Sequence, residues 1–67
     1  MNPKTATALA GLLARVPADE SVHRVEDLVT AIGTTSGILA GAVRAGAAQG
    51  LRSIRKNRTT YVYRTRP

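Results

Sequence analysis

The 67-residue chain carries a formal net charge of +6 and contains no cysteine, tryptophan or phenylalanine. Its length allows one domain, residues 1–67, with a thin core in which Ala and Gly contacts supplement six Leu, six Val and three Ile. The composition excludes a disulfide framework and a thiolate zinc site, and no apolar run approaches the ~18 residues of a membrane span, so a soluble, cytoplasmic protein is expected.

The charges are distributed unevenly along the chain. All four acids lie in one short stretch, at Asp19, Glu20, Glu26 and Asp27. Residues 1–27, with three basic groups, therefore carry net −1, whereas residues 28–67 carry seven basic groups, no acid and net +7. Such clustering favours polyanion binding, because phosphates attract guanidinium groups and counterion release adds driving force. A merely solubilising basic face is the alternative.

The first two predicted elements are helices. Residues 3–16 have Asn2 as a plausible N-cap, Pro3 at the first helical position and apolar residues at helical spacing. A second, short helix is predicted over residues 24–32 from an apolar stripe that ends at Gly33, which is free to take the left-handed conformation of a helix C-terminus.

A third helix is predicted over residues 36–49, after the N-cap candidates Thr34, Thr35 and Ser36 and before Gly50. Glycines within this helix each cost roughly 0.5–1 kcal/mol relative to alanine. There are three of them, at Gly37, Gly41 and Gly46. Close backbone approach to a neighbouring helix or a ligand would explain them, and compositional bias is the alternative.

The C-terminal quarter changes to β-prone residues and predicts a hairpin over residues 51–66. Its strands are expected at 51–55 and 59–65, separated by the basic link 56–58. Within the link, Asn57 tolerates a positive φ. The hairpin therefore has a basic tip.

The two tyrosines of the second strand, Tyr61 and Tyr63, have the same parity and so point to one face. They cover the thin core from the sheet side, or they stack on bases as aromatic side chains do on single strands. Core cover is the preferred interpretation, because the chain has few other large apolar groups.

This order of elements resembles the winged helix-turn-helix family of DNA-binding domains. The stretch 32–43, IGTTSGILAGAV, is similar to the family's pattern of an aliphatic-Gly pair followed by a Thr- or Ser-capped recognition helix. Gly50-Leu51 resembles the step from that helix into the first wing strand. The resemblance implies an α+β fold, a three-helix bundle with a C-terminal two- or three-stranded hairpin as the wing.

The resemblance also implies roles for residues of the third helix. Thr35 would be the N-cap, with Leu39 and Val43 facing the core. The residues facing the major groove would be Ser36, Gly37, Ala40, Gly41 and Arg44. Only Arg44 among them has a long side chain able to reach a guanine edge. The helix therefore has few side chains for direct base readout, and phosphate contacts by the wing become more important.

The sequence thus predicts a nucleic-acid-binding site made of the start of the third helix, Arg44 and the hairpin. Its residues are Thr34, Thr35, Ser36, Arg44, Arg52, Arg55, Lys56, Asn57, Arg58, Arg64 and Arg66. If about five of the basic groups neutralise phosphates, log K falls against log salt with a slope near −4 to −5. Double-stranded DNA is the expected partner and transcription regulation the expected role. If the protein binds DNA, it is expected to be associated with the nucleoid.

Three alternatives stay open. The chain could be a protein-interaction module that docks on an acidic partner such as a host polymerase or nuclease. It could bind RNA, with Tyr61 and Tyr63 as stacking platforms. The small residues Gly41, Ala45 and Ala48 could also form a close-packed homodimer surface.

No enzymatic activity, cofactor, metal or small-molecule substrate is expected. His23 is the only histidine, and without cysteines or a nearby carboxylate cluster it cannot build a metal site. The serines lie in contexts that do not suggest a catalytic triad. Glu26 and Asp27 are interpreted as first-turn acids that complement a helix dipole.

Overall fold

The computed structural model describes all residues 1–67 and has an α+β architecture, which confirms the predicted fold class. Its elements in chain order are α1 (Pro3–Arg15), β1 (His23–Arg24), α2 (Val25–Ile32), α3 (Ser36–Ala45), a short 3-10 helix (Ala47–Gln49), β2 (Leu51–Lys56) and β3 (Thr59–Arg64). The three strands form one antiparallel sheet in the order β1-β3-β2, so that β3 is central.

Helix α1 begins as the sequence predicts. The Asn2 side chain accepts a hydrogen bond of 2.8 Å from the Lys4 N–H, and Pro3 occupies the first turn, where its missing N–H has no consequence. The helix ends at Arg15, one residue before the predicted end. Val16, which caps it through an N–H bond of 2.8 Å to the Leu12 carbonyl, is fully buried.

The turn between α2 and α3 is set by two capping residues. Gly33 has φ +79°, and the N–H groups of Gly33 and Thr34 donate to the Val29 carbonyl at 2.9 and 3.1 Å, which closes the end of α2. The Thr35 hydroxyl accepts from the Ile38 N–H at 3.2 Å and opens α3. Both predictions are confirmed. The chain bends by 98° between the two helices.

No helix by itself has the length and apolarity that a membrane crossing requires. Only α2 and α3 taken together pass on length and composition, and they are joined at the 98° bend.

The predicted end of the third helix at residue 49 is wrong, because α3 stops at Ala45. Gly46, the next residue, is buried, and a Cβ there would lie 2.8 Å from Leu9 Cδ1 and in severe overlap with Leu51. The chain then forms the 3-10 helix and leaves it at Gly50, whose φ is +89°. Close packing thus explains Gly46 and ends the helix where Leu51 must enter the core.

The two glycines inside α3 have no such explanation. A Cβ on Gly37 or Gly41 would meet nothing within 4 Å. Both therefore leave a smooth, open surface on α3 that internal packing does not require. A homodimer through Gly41, Ala45 and Ala48 stays a prediction.

The core lies between the three helices and one face of the sheet. Its buried residues are Ala8, Leu12, Val16, Leu28, Leu39, Ala42, Val43, Leu51 and Val62. Because side chains alternate along a strand, burial of Val62 defines the inner face of the sheet. Antiparallel partners share a face, so Ser53, paired with Val62, and Arg55, paired with Thr60, also lie on the inner face.

The expectation that the two tyrosines cover the core is wrong. Tyr61 and Tyr63 flank Val62 on β3 and therefore lie on the opposite, outer face, and neither belongs to the core cluster or packs against it. The core is closed on the sheet side by Leu51 and Val62, both 1% exposed. The tyrosines face outward because the side chains of β3 alternate and the strand turns the smaller Val62 toward the helices.

Candidate nucleic-acid interface

A groove of about 220 Å³ separates α3 from the β2–β3 hairpin. Ser36, Ala40 and Arg44, spaced four residues apart, form its helical side. Ser53 and Thr60 form its sheet side, because both belong to the inner face of the hairpin. The structure thus joins two predicted binding residues of α3, Ser36 and Arg44, with two hydroxyls of the hairpin that the sequence analysis did not single out.

The tip of the hairpin extends this groove with exposed cations. Arg55 follows Ser53 on the inner face, Lys56 points to the outer face, and Asn57 and Arg58 form the turn. None of the three basic side chains makes a hydrogen bond or an ion pair within the protein, and the same is true of Arg44. All four cations are therefore free to bind an external anion.

The turn itself has two residues, Asn57 and Arg58, not the three-residue link predicted. Lys56 pairs with Thr59 as the last rung of the ladder. The φ values are +51° at Asn57 and +65° at Arg58, as in a type I′ turn, whose twist matches that of the strands. Asparagine tolerates this conformation, whereas for an arginine it costs roughly 1–2 kcal/mol.

The arginines at the base of the hairpin are occupied by the protein's own chain. Arg52 Nη1 donates to the carbonyls of Ala47 and Leu51 at 3.0 and 2.8 Å. Arg64 Nε donates to the Gln49 carbonyl at 2.9 Å. These bonds satisfy carbonyl groups where the helical segment ends and fasten that segment to the sheet.

Arg66, the third of these basal arginines, lies beyond β3. Its Nε is 3.5 Å from Glu20 Oε1. The basic residues predicted as one binding surface therefore form two groups, a free one at the tip and in α3 and an occupied one at the base.

The predicted residues Thr34 and Thr35 lie elsewhere. They line a second groove of about 430 Å³, together with Lys4, Thr7 and Ile38. Ile38 is two positions from Ala40 and so faces a different side of α3 from the hairpin groove. Thr35 acts as the N-cap of α3 in this groove.

Lys4 is a basic residue of this second groove that the sequence analysis missed. Its place in the first turn of α1 carried a signal, because a cation there opposes the favourable polarity of the helix dipole. Its position in the structure puts one more basic side chain beside the start of α3.

All four acids precede α3 in the chain, and two of them are paired with arginines. Glu26 pairs with Arg24 at the start of α2, and Glu20 pairs with Arg66. Hydrogen bonds from Ser21, first from its hydroxyl and then from its backbone N–H, lower the pKa of the Asp19 carboxyl below the ordinary 3.8. The segment from α3 to β3 therefore presents an uncompensated positive field.

Comparison of the chain with models of protein families, with curated protein sequences and with solved structures gave no match. The grooves, the free cations and the backbone conformation of this chain are therefore the features that indicate its function.

Proposed function

We propose that the protein binds double-stranded DNA as a winged helix-turn-helix, with α3 in the major groove and the β2–β3 hairpin as the wing. The order of elements is compatible with this architecture, since α2 and α3 meet at a tight turn and the hairpin follows α3 directly. The groove between α3 and the hairpin offers Arg44 on one wall and leads to Arg55 at the tip.

The observation that carries the proposal is Arg58. It occupies a left-handed position where glycine is favoured, in the exposed turn of the hairpin, and its side chain has no partner in the protein. Unfavourable backbone conformations concentrate at functional sites, because local stability is given up there for a useful side chain. A guanidinium group at a hairpin tip is suited to phosphates or to a narrow minor groove.

The exposed side of α3 supports backbone contacts more than base reading. Gly37 and Gly41 have open space around them, so that the helix can approach another surface closely. Arg44 is the one long polar side chain on this side. We therefore infer modest sequence preference and an affinity that comes chiefly from phosphates.

The salt dependence follows from the free cations. Three free cations, Arg44, Arg55 and Arg58, lie beside the groove or in the turn, and with one phosphate each they predict a slope of log K against log salt near −2.7, at roughly −0.9 per contact. This slope is shallower than the −4 to −5 expected for about five contacts, because the basal arginines are occupied and Lys56 points to the outer face of the sheet. Between 50 and 200 mM salt, three contacts predict a loss of affinity of about 40-fold.

The test compares two variants of equal net charge by fluorescence anisotropy of a labelled duplex. Arg55→Gln/Arg58→Gln removes two free cations at the tip. Arg15→Gln/Arg66→Gln removes two that are engaged within the protein, Arg15 with the Ala31 carbonyl at 3.4 Å. We expect the first variant to lose only about 3.5-fold in affinity over the same salt range, as one contact predicts, and the control to behave like wild type. Equal slopes for all three proteins would contradict the proposal.

Docking on an acidic protein surface is the second candidate. The observation in its favour is that α3 exposes only one long polar side chain, Arg44, where a base-reading helix would present several. Failure to bind any duplex at 50 mM salt, with the helical circular dichroism intact, would reject DNA and favour this candidate.

A further inference from the structure

The outer face of the sheet carries a second surface, distinct from the groove beside α3. Across the three strands, Arg24, Tyr61 and Ile54 form one row, because Tyr61 pairs with both of its neighbours. Tyr63 and Arg52 form the next row. The chain's two tyrosines thus lie side by side on the central strand, with cations on the flanking strands.

Two of the three exposed large hydrophobic residues of the molecule lie in the sheet or directly beside it in the chain, and both tyrosines are half-buried. Ile54 is 47% exposed and Val22 is 59% exposed, and only Met1 among the other large hydrophobic residues is classed with them. Ile54 lies on the outer face through its pairing with Tyr61, and Val22 is the residue directly before β1. An exposed apolar patch with aromatic rings indicates a binding surface.

The charges on the patch select among possible occupants. Lys56 has no partner in the protein, Arg52 keeps its positive charge while it donates to two carbonyl groups, and the nearby acid Glu26 is paired with Arg24. A second copy of the chain placed on this face would bring like charges together. A polyanion with flat, apolar groups fits both the rings and the cations.

We propose that the outer face of the sheet, built on Tyr61 and Tyr63, binds unpaired nucleotides by stacking one base on each ring. Residues i and i+2 of a strand are ~6.6 Å apart, about twice the ~3.4 Å rise of stacked bases in a duplex. An unpaired strand can spread its bases to this distance, whereas a duplex cannot. Lys56, on the same face, then neutralises a phosphate.

This surface is independent of the proposed duplex site, because it uses the opposite face of the hairpin. Base–aromatic stacking is tolerant of sequence, since every base has a π-face. The hairpin would thus contact paired DNA with its inner face and tip, and an unpaired strand with its outer face. Either activity can fail without the other.

The tyrosines allow a direct readout, because the chain has two tyrosines and no tryptophan, so its fluorescence comes from this surface alone. We expect the oligonucleotides dT12 and U12 to quench the tyrosine emission, and the comparison between them to show whether DNA or RNA is preferred. Heparin, a polyanion without bases, should leave the emission nearly unchanged at matched charge. Quenching by heparin as strong as that by dT12 would overturn the proposal.

Substitutions of the two tyrosines distinguish stacking of a base on an aromatic ring from simple apolar contact. Tyr61→Leu and Tyr63→Leu keep an apolar side chain without a ring, and each should weaken dT12 binding roughly 5- to 150-fold, the range for one stacked base. Tyr61→Phe and Tyr63→Phe keep the ring and should bind within about twofold of wild type. If a leucine variant fails to fold, the phenylalanine variants and the wild-type quenching still decide the matter. Equal binding by the leucine and phenylalanine variants would overturn the proposal.

Competition distinguishes one surface from two. The Arg55→Gln/Arg58→Gln variant should lose duplex affinity and keep dT12 quenching, and a saturating duplex should not displace dT12 from wild type. Displacement would reject a separate site for unpaired strands. A dimer in sedimentation that Tyr63→Leu dissociates, together with the absence of quenching, would assign the face to self-association and overturn the proposal as well.

Discussion

Replacing Arg58 by glycine should stabilise the protein and weaken its binding to DNA. The residue has φ +65° in a two-residue turn, and Asn-Gly is the favoured pair for that turn type. Relief of the left-handed conformation, less the greater entropy that glycine loses on folding, leaves a gain of about 0.5–1 kcal/mol. For a domain of this size the melting temperature should rise by roughly 2–8 °C.

The same substitution removes one free cation from the tip of the hairpin. Loss of one phosphate contact should make the slope of log K against log salt shallower by about 0.9. If that contact contributes nothing at 1 M salt, the loss of duplex affinity at 0.1 M is about eightfold. Stability and affinity therefore change in opposite directions.

Thermal unfolding by circular dichroism measures the first effect, and anisotropy of a labelled duplex from 50 to 300 mM salt measures the second. Asn57→Gly is the matched control, because it alters the other residue with positive φ, +51°, without changing the charge. It should raise the melting temperature slightly and leave the salt slope unchanged. A lower melting temperature for Arg58→Gly would contradict the strain inferred at residue 58. Contact between the tip and DNA is refuted if the slope of log K against log salt for Arg58→Gly equals that of wild type.

Three further predictions concern stability. Gly46→Ala should lower the free energy of unfolding, measured in urea, by about 1–3 kcal/mol, because the new Cβ overlaps core side chains. Gly41→Ala places its Cβ in open space and should raise that free energy by about 0.5–1 kcal/mol. Equal effects of the two substitutions would contradict the close packing at Gly46. Thr35→Ala should cost about 1 kcal/mol in the same assay through loss of the α3 cap, and Thr35→Ser should restore most of it. Because the folded protein lowers the pKa of Asp19, this carboxyl stabilises the fold at pH values above 3.8, and the stabilisation is lost as the pH falls through the folded-state pKa. The free energy of unfolding of Ser21→Ala in urea should therefore depend less on pH in that acidic range than that of wild type. Identical pH profiles for the two proteins would reject this prediction.

Much of the helical part of the fold could be predicted because its signals are local. Asn2 caps α1, Gly33 ends α2 in the left-handed conformation and Thr35 caps α3, as the sequence predicts. Each signal depends on hydrogen bonds within about one turn of helix, so the neighbouring residues contain all the necessary information.

The end of α3 could not be predicted in this way. Glycine at position 46 is compatible with a continuing helix, and the need for glycine there comes from Leu9 and Leu51, which belong to other elements and leave no room for a Cβ. The short strand β1 is similar, because two residues become a strand only when β3 is present to pair with them.

For the candidate site, the chain's own chemistry accounts for the excess of cations after residue 28 and for the shared parity of Tyr61 and Tyr63. Tertiary structure alone decides which cations are free. Arg52 and Arg64 are occupied because the carbonyl groups of the 3-10 helix come to lie beside them. The tertiary structure also decides that the tyrosines face away from the core. The alternation along a strand shows which side chains share a face, but only packing against the helices determines which of the two faces is buried.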